Sequence, residues 1–288
     1  MELLEGLPEI SPDDADERVL RVFDEQCRKL RVPVVDRMFR TLANFPELLE
    51  ASWNAVRDVV GTREFEQDAD WIRATAVLEP VPIGRDVRSH AGEELDRLRA
   101  VTDTVHYALP KMLLVATAFE AMMHTRRADQ HAPPEEHLDK APLPPGPPPG
   151  MATFRTISPS DADGQVKELY EDIQRVHGHA TVTTWFRALA TRPDFLDAVW
   201  DELRPIVGSE PWLRRKRLLL NSAEAIVREW DLPDLPPSLI SPDARAVVSA
   251  YRSVLVPDVL IDACLVKGML DGGRAAYHSR FSAVAPSP

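Results

Sequence analysis

The sequence has few of the residues on which many functional sites depend. It contains 2 cysteines and 12 glycines among 288 residues, so neither a clustered-cysteine metal site nor a glycine-rich phosphate loop is indicated. The motifs His-x-x-x-His, His-Glu-x-x-His and Gly-x-Ser-x-Gly are also absent, which argues against a zinc hydrolase and against a serine-hydrolase elbow. We therefore predict no metal ion and no cofactor.

Long apolar runs and excess positive charge are missing as well. No stretch of 18 apolar residues is present, and the first residues lack the basic segment of an export signal. A net charge of −12 repels nucleic acid phosphates and anionic membranes. Cys27 and Cys264 fit no metal spacing, which favours reduced thiols. We expect a cytoplasmic protein that binds a small-molecule substrate and has no nucleic acid or membrane partner.

The sequence does contain a long internal repeat. Ile10-Ser-Pro-Asp-Asp-Ala-Asp16 returns as Ile157-Ser-Pro-Ser-Asp-Ala-Asp163, and an offset of 147 residues then holds without a gap for over a hundred positions. The matched pairs include Phe39 and Phe186, Trp53 and Trp200, Gly61 and Gly208, Pro110 and Pro257, and Met122 and Met269. Two copies of this length predict a pseudo-dimer around an approximate twofold axis, with a cleft at its seam as the candidate site.

Each copy is predicted to be helical throughout. Apolar residues recur at helical spacing, whereas period-two alternation bounded by hairpin dipeptides is scarce. Serine followed by proline predicts helix starts at Ser11, Ser158 and Ser241. A helix over about 93–107 and a separate, more apolar helix from Pro110 are predicted in the first copy. The fold class is therefore all-α.

A proline-rich segment separates the two copies. Ala141-Pro-Leu-Pro-Pro-Gly-Pro-Pro-Pro-Gly150 predicts an extended polyproline conformation, because proline cannot continue a helix or a strand ladder. We predict a first helical repeat over 1–127, a linker over 128–152 and a second helical repeat over 153–288. The assembly is then either a monomeric pseudo-dimer or a homodimer.

Several motifs, in this order and spacing, resemble the group I 2-haloacid dehalogenases, the DehI-type family. They are Leu30-Arg-Val-Pro33, Tyr107-Ala-Leu-Pro-Lys111, Val166-Lys-Glu-Leu-Tyr-Glu-Asp172, Phe186-Arg-Ala-Leu-Ala-Thr-Arg-Pro193 and Leu270-Asp-Gly-Gly273. The resemblance implies an all-helical pseudo-dimer that needs no cofactor. It also implies an aspartate in the cleft that activates water for direct attack on the α-carbon, so that halide leaves without an ester intermediate.

The resemblance also assigns site positions, and several of them carry unexpected residues. The family's catalytic aspartate falls on Trp185, whose indole cannot accept a proton from water. The hydroxyl residue before it is kept as Thr184, and the cleft tyrosine is kept as Tyr251. Candidate positions for a family asparagine hold His106 and Leu109, and two aromatic wall positions hold Val34 and Arg37.

Asp36 and Arg37 are the candidate replacement, because they occupy the repeat positions of Thr183 and Thr184. Asp36 could act as the base and Arg37 as a clamp for a carboxylate; the alternative is an exposed charge pair at a helix start. Trp185 either stacks on a substrate or packs in the core. We predict Asp36, His106 and Thr184 as catalytic residues, and Val34, Arg37, Leu109, Trp185 and Tyr251 as substrate-binding residues.

Charged residues in the two most apolar helices also need partners. Glu120 and Lys267 occupy equivalent positions in the two copies, so a structural ion pair between them is predicted, with a catalytic pair as the alternative. Helix capping explains Asp258, whereas Asp262 in the same helix remains unexplained.

Three functions stay open at this point. The first is a cofactor-independent hydrolase or lyase that acts on a small organic acid or a natural-product intermediate and is not a standard haloacid dehalogenase. The second is a 2-haloacid dehalogenase with a relocated base. The third is a non-catalytic protein that binds a small molecule; it needs only a cavity, whereas an enzyme needs a titratable group beside it.

Overall fold

The computed structural model describes residues 7–79, 86–124 and 141–283. These residues contain helices, one isolated antiparallel bridge between Thr62 and Pro142, and no strand, so the all-α prediction is confirmed. The α-helices are α1 (Glu17–Leu30), α2 (Arg37–Leu42), α3 (Pro46–Val56), α4 (Arg63–Ala76), α5 (Arg88–Ala91), α6 (Leu95–Met122), α7 (Gly164–His177), α8 (Thr184–Leu189), α9 (Pro193–Leu203), α10 (Glu210–Arg228), α11 (Pro242–Ala250) and α12 (Val256–Asp271).

One of the three predicted serine caps lies where it was expected. Ser241 caps α11 by accepting a hydrogen bond from the backbone N–H of Ala244 at 3.1 Å. The cap predicted at Ser11 is wrong: Asp16 caps α1, accepting from Val19 N at 2.8 Å. Ser11 lies in a preceding turn, where its hydroxyl donates to Asp14. The cap predicted at Ser158 is wrong as well, because α7 begins at Gly164.

The long helices α6 and α12 pack against each other at the centre of the protein. The prediction of two separate helices around Pro110 is wrong, because α6 is continuous through this proline. Proline lacks the N–H that would bond the carbonyl of residue 106. The buried side chain of Arg73 fills that role, since its Nε donates to the His106 carbonyl at 3.0 Å. A partner from α4 thus satisfies the carbonyl inside the core.

The backbone around the central proline has a different conformation in the second copy. Between α11 and α12, residues Tyr251–Leu255 form a π-helical turn, and Pro257 follows in the first turn of α12. A π-turn adds a residue to the helical path and rotates the side chains that follow it. Tyr251 lies at the start of this turn and is buried.

The predicted linker covers residues 128–152, and its part up to residue 140 lies outside the described residues. From residue 141 the chain runs along the first copy, where Ala141 O accepts from Arg63 N at 2.9 Å and Leu143 N donates to Gly61 O at 2.8 Å; it then bends at residues 145–146 and turns at 149–150. Gly61 has φ of +87°, and a β-carbon here would lie 3.3 Å from the carbonyl oxygen of Lys29. A glycine is therefore required at this close approach.

Several bonds recur at the repeat offset of 147 residues. The indole N–H of Trp53 donates to Glu25 at 2.9 Å, and that of Trp200 donates to Asp172 at 2.8 Å. Arg40 O accepts from Ile10 N at 3.1 Å, and Arg187 O accepts from Ile157 N at the same distance. These matched bonds support the predicted duplication. None of the described helices combines the length and the apolar character that a membrane-spanning segment needs.

Candidate active site

A small cavity of about 100 Å³ lies beside the two central helices. Its apolar walls come mainly from α6, from the π-turn and start of α12, and from the segment between α1 and α2. The lining comprises Gln26, Leu30, Val32, Pro33, Val34, Asp36, Arg37, Thr104, Val105, Ala108, Leu109, Met112, Phe154, Thr183, Thr184, Trp185, Tyr251, Leu255, Val256 and Val259. Both copies contribute, so the cavity lies at the predicted seam.

Asp36 is the carboxylate in this lining. It is the N-cap of α2, and its Oδ1 accepts from the backbone N–H of Met38 at 2.8 Å. Withdrawal from water raises the pKa of Asp36 to about 6, although the Met38 hydrogen bond and the Arg37 charge oppose the shift. Within the described chain, no hydrogen bond reaches its Oδ2. At neutral pH the carboxylate is mostly ionised and can accept a proton.

Besides the guanidinium of Arg37, which is ion-paired with Glu9, three buried hydrogen-bonding groups in the lining have no partner among the described residues. They are the side-chain amide nitrogen of Gln26, the hydroxyl of Thr183 and the indole nitrogen of Trp185. An unsatisfied buried polar group costs roughly 1–3 kcal/mol. Because all three can donate, the cavity favours a ligand with acceptor oxygens, such as a carboxylate.

Other polar groups in the lining are already engaged. The hydroxyl of Tyr251 lies 3.1 Å from that of Thr41, and burial raises the pKa of Tyr251 to about 12. Arg37 Nε lies 2.7 Å from Glu9 Oε1, and its Nη2 donates to Thr181 at 3.5 Å. Arg37 therefore contributes positive charge to the wall while its guanidinium is held by Glu9.

The structure places seven of the eight candidate residues together in this lining: Val34, Asp36, Arg37, Leu109, Thr184, Trp185 and Tyr251. His106 lies elsewhere. Its Nε2 is 2.8 Å from the carbonyl oxygen of Ala276, and burial together with the Arg73 charge holds its pKa well below the usual range. A catalytic role for His106 at the cavity has no support from this position. Sequence reasoning missed Gln26, because it shares the buried face of α1 with Val22, Phe23 and Leu30 and no motif marks it.

The predicted ion pair between Glu120 and Lys267 is wrong. Glu120 Oε2 lies 2.9 Å from Arg252 Nη1, while Lys267 pairs with Asp103 and with Asp271 one turn further along α12. Both charges are paired as burial requires. Their partners come from other positions, so the two residues form separate structural contacts.

A buried cluster of histidine and aspartate was not predicted as a unit. His177 Nε2 lies 3.1 Å from Asp262, His179 Nε2 lies 3.0 Å from Asp258, and Lys216 Nζ lies 2.6 Å from Asp258. The two imidazoles stack with centroids 4.6 Å apart. Although the histidines and Asp258 are close enough to hold a metal ion, Lys216 already neutralises Asp258. Lys216 pairs with Asp258 and His177 lies beside Asp262, so we assign the cluster a structural role.

Fold and site together define a class of all-helical proteins with a small apolar cavity, one carboxylate and free hydrogen-bond donors beside two central helices. A sequence model of the family described as halocarboxylic acid dehydrogenase DehI matches residues 33–184, more than half of the chain. The chain belongs to the DehI family.

Relatives with assigned activities agree with this membership. A configuration-inverting 2-haloacid dehalogenase of Alcaligenes xylosoxydans xylosoxydans is 29% identical over 292 aligned residues, covering 95% of this chain and 97% of the relative. Another, from Pseudomonas sp. (strain 113), is 29% identical over 212 residues, 71% of this chain and 69% of the relative.

The solved structures show the same fold. A D-2-haloacid dehalogenase mutant in complex with D-2-CPA superimposes with a TM-score of 0.74 at 17% identity, covering 94% of this chain and 96% of the other. A D-2-haloacid dehalogenase with L-LA gives a TM-score of 0.70 at the same identity and coverage. At this identity the likeness shows the fold alone.

Proposed function

We propose that this protein is a cofactor-independent hydrolase that removes halide from small 2-halocarboxylic acids, with Asp36 as its general base. The observation that carries the proposal is the position of Asp36 in the wall of the cavity, with its pKa raised to about 6. A binding protein needs the cavity but has no use for such a group. The relatives named as 2-haloacid dehalogenases support this class of substrate.

The cavity supports a short substrate with one carboxylate. Its volume is about 100 Å³, below that of the engineered apolar cavity of ~150 Å³ that accepts benzene, so a two- or three-carbon acid is the expected size. The unpaired donors of Gln26, Thr183 and Trp185 are available to the carboxylate oxygens. Valine, leucine and methionine side chains surround the remainder and suit a halogen and a methyl group.

In the proposed reaction Asp36 takes a proton from a water molecule as the water oxygen attacks the α-carbon. The carbon–halogen bond breaks, halide leaves, and a 2-hydroxy acid forms with inverted configuration. The proton on Asp36 then passes to solvent, so one water is consumed and one halide and one proton are released. The family resemblance assigns Trp185 to the position of the family's aspartate, so the proposed base comes from the other copy.

Halide release from each enantiomer of 2-chloropropionate tests the proposal. We expect chloride release with lactate of inverted configuration. A single turnover in water labelled with oxygen-18 should place the label in lactate and leave none in the peptide containing Asp36. Release of no chloride from either enantiomer would contradict the proposal, and label in the peptide would show an ester intermediate instead.

A Trp185→Asp variant tests the alternative that the protein acts on a different acid. If the wild type is inactive and this variant releases chloride, then the cavity is intact and serves another ligand. Activity in the wild type shows instead that a base other than residue 185 operates.

A further inference from the structure

A second cleft lies on the outside of the cavity, and we call it the outer cleft. Its lining comprises Leu7, Glu9, Arg37, Arg40, Pro159, Gln174, Ala180, Thr181 and Arg187. Arg37 belongs to the lining of both the outer cleft and the cavity, so the two spaces adjoin at this side chain. The outer cleft is more open and more polar than the apolar cavity behind it.

The outer cleft carries an excess of positive charge. Glu9 pairs with both Arg37 and Arg40, and it is the acidic residue in the lining. Arg187 has no carboxylate within ion-pair distance among the described residues; its Nε donates to the Ile157 carbonyl at 3.4 Å. Three arginines therefore face one carboxylate. Buried nitrogens of Arg37 and Arg40 also lack hydrogen-bond partners.

The arginines are close enough to influence one another. Burial and the charge of Arg187 lower the pKa of Arg40, and burial and the charge of Arg37 lower the pKa of Arg187. Arg40 and Arg187 remain protonated at neutral pH, because the pKa of a guanidinium begins from a very high value. Like charges held together in this way are stabilised by an anion between them.

Both copies contribute to this charge. Arg40 and Arg187 occupy equivalent positions, and each uses its backbone carbonyl to accept a hydrogen bond from an isoleucine at 3.1 Å. Their side chains thus approach the outer cleft from the two sides of the seam. Because the backbone of each is anchored in this way, the position of the arginine pair is built into the fold.

The negative charge of the whole protein gives a positively charged cleft a possible role in substrate capture. With a net charge of −12, the protein as a whole repels anions, yet the substrate and the halide of the proposed reaction are both anionic. A local concentration of positive charge can overcome this repulsion and raise the rate of encounter. Arg37 lies at the junction between this charge and the cavity.

We propose that the outer cleft is a binding site for small monovalent anions, which collects the substrate carboxylate on its way to the cavity and receives the departing halide. The identity of the two anions rests on the proposed function, whereas the capacity to bind an anion rests on the arginines alone. Arg187 is the main anion-binding residue, since its charge is not neutralised by Glu9.

Chloride binding tests the site without any need for turnover. The protein should broaden the chloride NMR signal, and Arg187→Gln should remove most of this excess line width. Arg214→Gln is the matched control, because Arg214 is 74% exposed on α10 and its loss changes the net charge equally. Arg187→Lys keeps the charge and should keep the broadening. A result in which Arg187→Gln broadens chloride as much as Arg214→Gln does would overturn the proposal.

Kinetics with 2-chloropropionate provide the second readout. At low ionic strength we expect Arg187→Gln to lower kcat/KM by roughly 3- to 10-fold, with kcat nearly unchanged and the loss shrinking as salt screens the charge. A fall in kcat alone would contradict a collecting role. If the wild type releases no chloride but Arg187→Gln still loses chloride binding, then the proposed function fails and the anion site stands.

Discussion

Asp36 and Thr183 occupy equivalent positions in the two copies and precede six-residue helices with nearly the same backbone. Their φ and ψ angles are −64° and 146° at Asp36 and −70° and 156° at Thr183, and both residues line the cavity. The side chains differ in use: Asp36 caps its helix through Oδ1, whereas the Thr183 hydroxyl has no partner among the described residues. One backbone position thus places a carboxylate in the cavity wall in one copy and a free hydroxyl in the other.

The first prediction concerns Asp36→Asn. Asparagine keeps an oxygen that can accept from Met38 N, so the helix cap and the stability should be retained. It cannot take a proton from water, and loss of a general base lowers the rate by roughly 10²- to 10⁴-fold. Chloride release and urea unfolding of the same preparation check both halves of the expectation.

Asp36→Ala separates the loss of the base from the loss of the helix cap, and Asp68→Asn serves as a control. Asp36→Ala should lose activity to the same extent and also about 1 kcal/mol of stability, because the capping bond is gone. Asp68→Asn is a control, since burial and the Glu64 charge raise the pKa of Asp68 to about 7 away from the cavity. Full activity in Asp36→Asn would exclude Asp36 as the base.

The second prediction is the pH dependence of the wild type. A base must be ionised to act, so kcat/KM should rise about tenfold per pH unit below pH 6 and level off above it. Initial rates between pH 4.5 and 8.0, with stability checked at each pH, give the profile. The Asp68→Asn control should keep the same inflection, and a profile without an inflection near pH 6 would argue against this base.

Helix phase explains which site residues could be predicted from the sequence. Val105, Ala108, Leu109 and Met112 recur at helical spacing and form one wall of the cavity, whereas His106 is one residue out of phase and turns about 100° away. The family resemblance named Leu109 and His106 together as candidate positions for the family's asparagine. The structure resolves the difference, because α6 continues through Pro110 and only Leu109 lies in the cavity lining.

Contacts between side chains of distant helices could not be predicted from the sequence. The repeat located the equivalent helices and pointed to Asp36 by its position, whereas Tyr251 followed from the family resemblance. Partners of Glu120 and Lys267 depend on how side chains from several helices meet, and equivalent sequence positions do not imply contact across the seam. The cluster around His177 escaped prediction for the same reason, since its members come from α7, α10 and α12.

The third prediction concerns Trp185→Phe. Phenylalanine keeps an aromatic ring in the cavity wall but removes the indole N–H, which has no partner among the described residues. A hydrogen bond to a charged group contributes about 1.5–3 kcal/mol, so KM for 2-chloropropionate should rise at least about tenfold. The inhibition constant of the neutral 2-chloropropionamide, measured as a competing ligand, should change little. An equal loss for both ligands would indicate a change of cavity shape.

The fourth prediction tests the bond between Arg73 and the His106 carbonyl. Arg73→Met should destabilise the protein by about 3–5 kcal/mol, because the carbonyl loses its donor and Asp70 loses a buried partner. Pro110→Ala restores an N–H to α6, so its effect should be less unfavourable in Arg73→Met than in the wild type. A double-mutant cycle by urea unfolding measures the coupling, and additive effects would show that Arg73 does not substitute for the missing bond.

The fifth prediction follows from the buried pair of His177 and Asp262. Burial lowers the pKa of His177, but the charge of Asp262, whose Oδ2 lies 3.1 Å from His177 Nε2, outweighs this effect and raises the pKa above 6.5. A raised pKa means that the folded state binds the proton more tightly than the unfolded state. The pair therefore stabilises the fold fully below about pH 6.5, and this contribution disappears as pH rises through the higher value in the folded protein.

His177→Gln removes the titrating group and should flatten this dependence. We expect the difference in unfolding free energy between wild type and variant to shrink steadily from pH 6 to pH 8, as measured by urea unfolding. His124→Gln serves as the control, because His124 is exposed and its Nδ1 lies 2.8 Å from the Glu120 carbonyl oxygen at the end of α6. A wild-type advantage that grows with pH would mean that His177 is neutral in the folded protein and that Asp262 is held by other contacts.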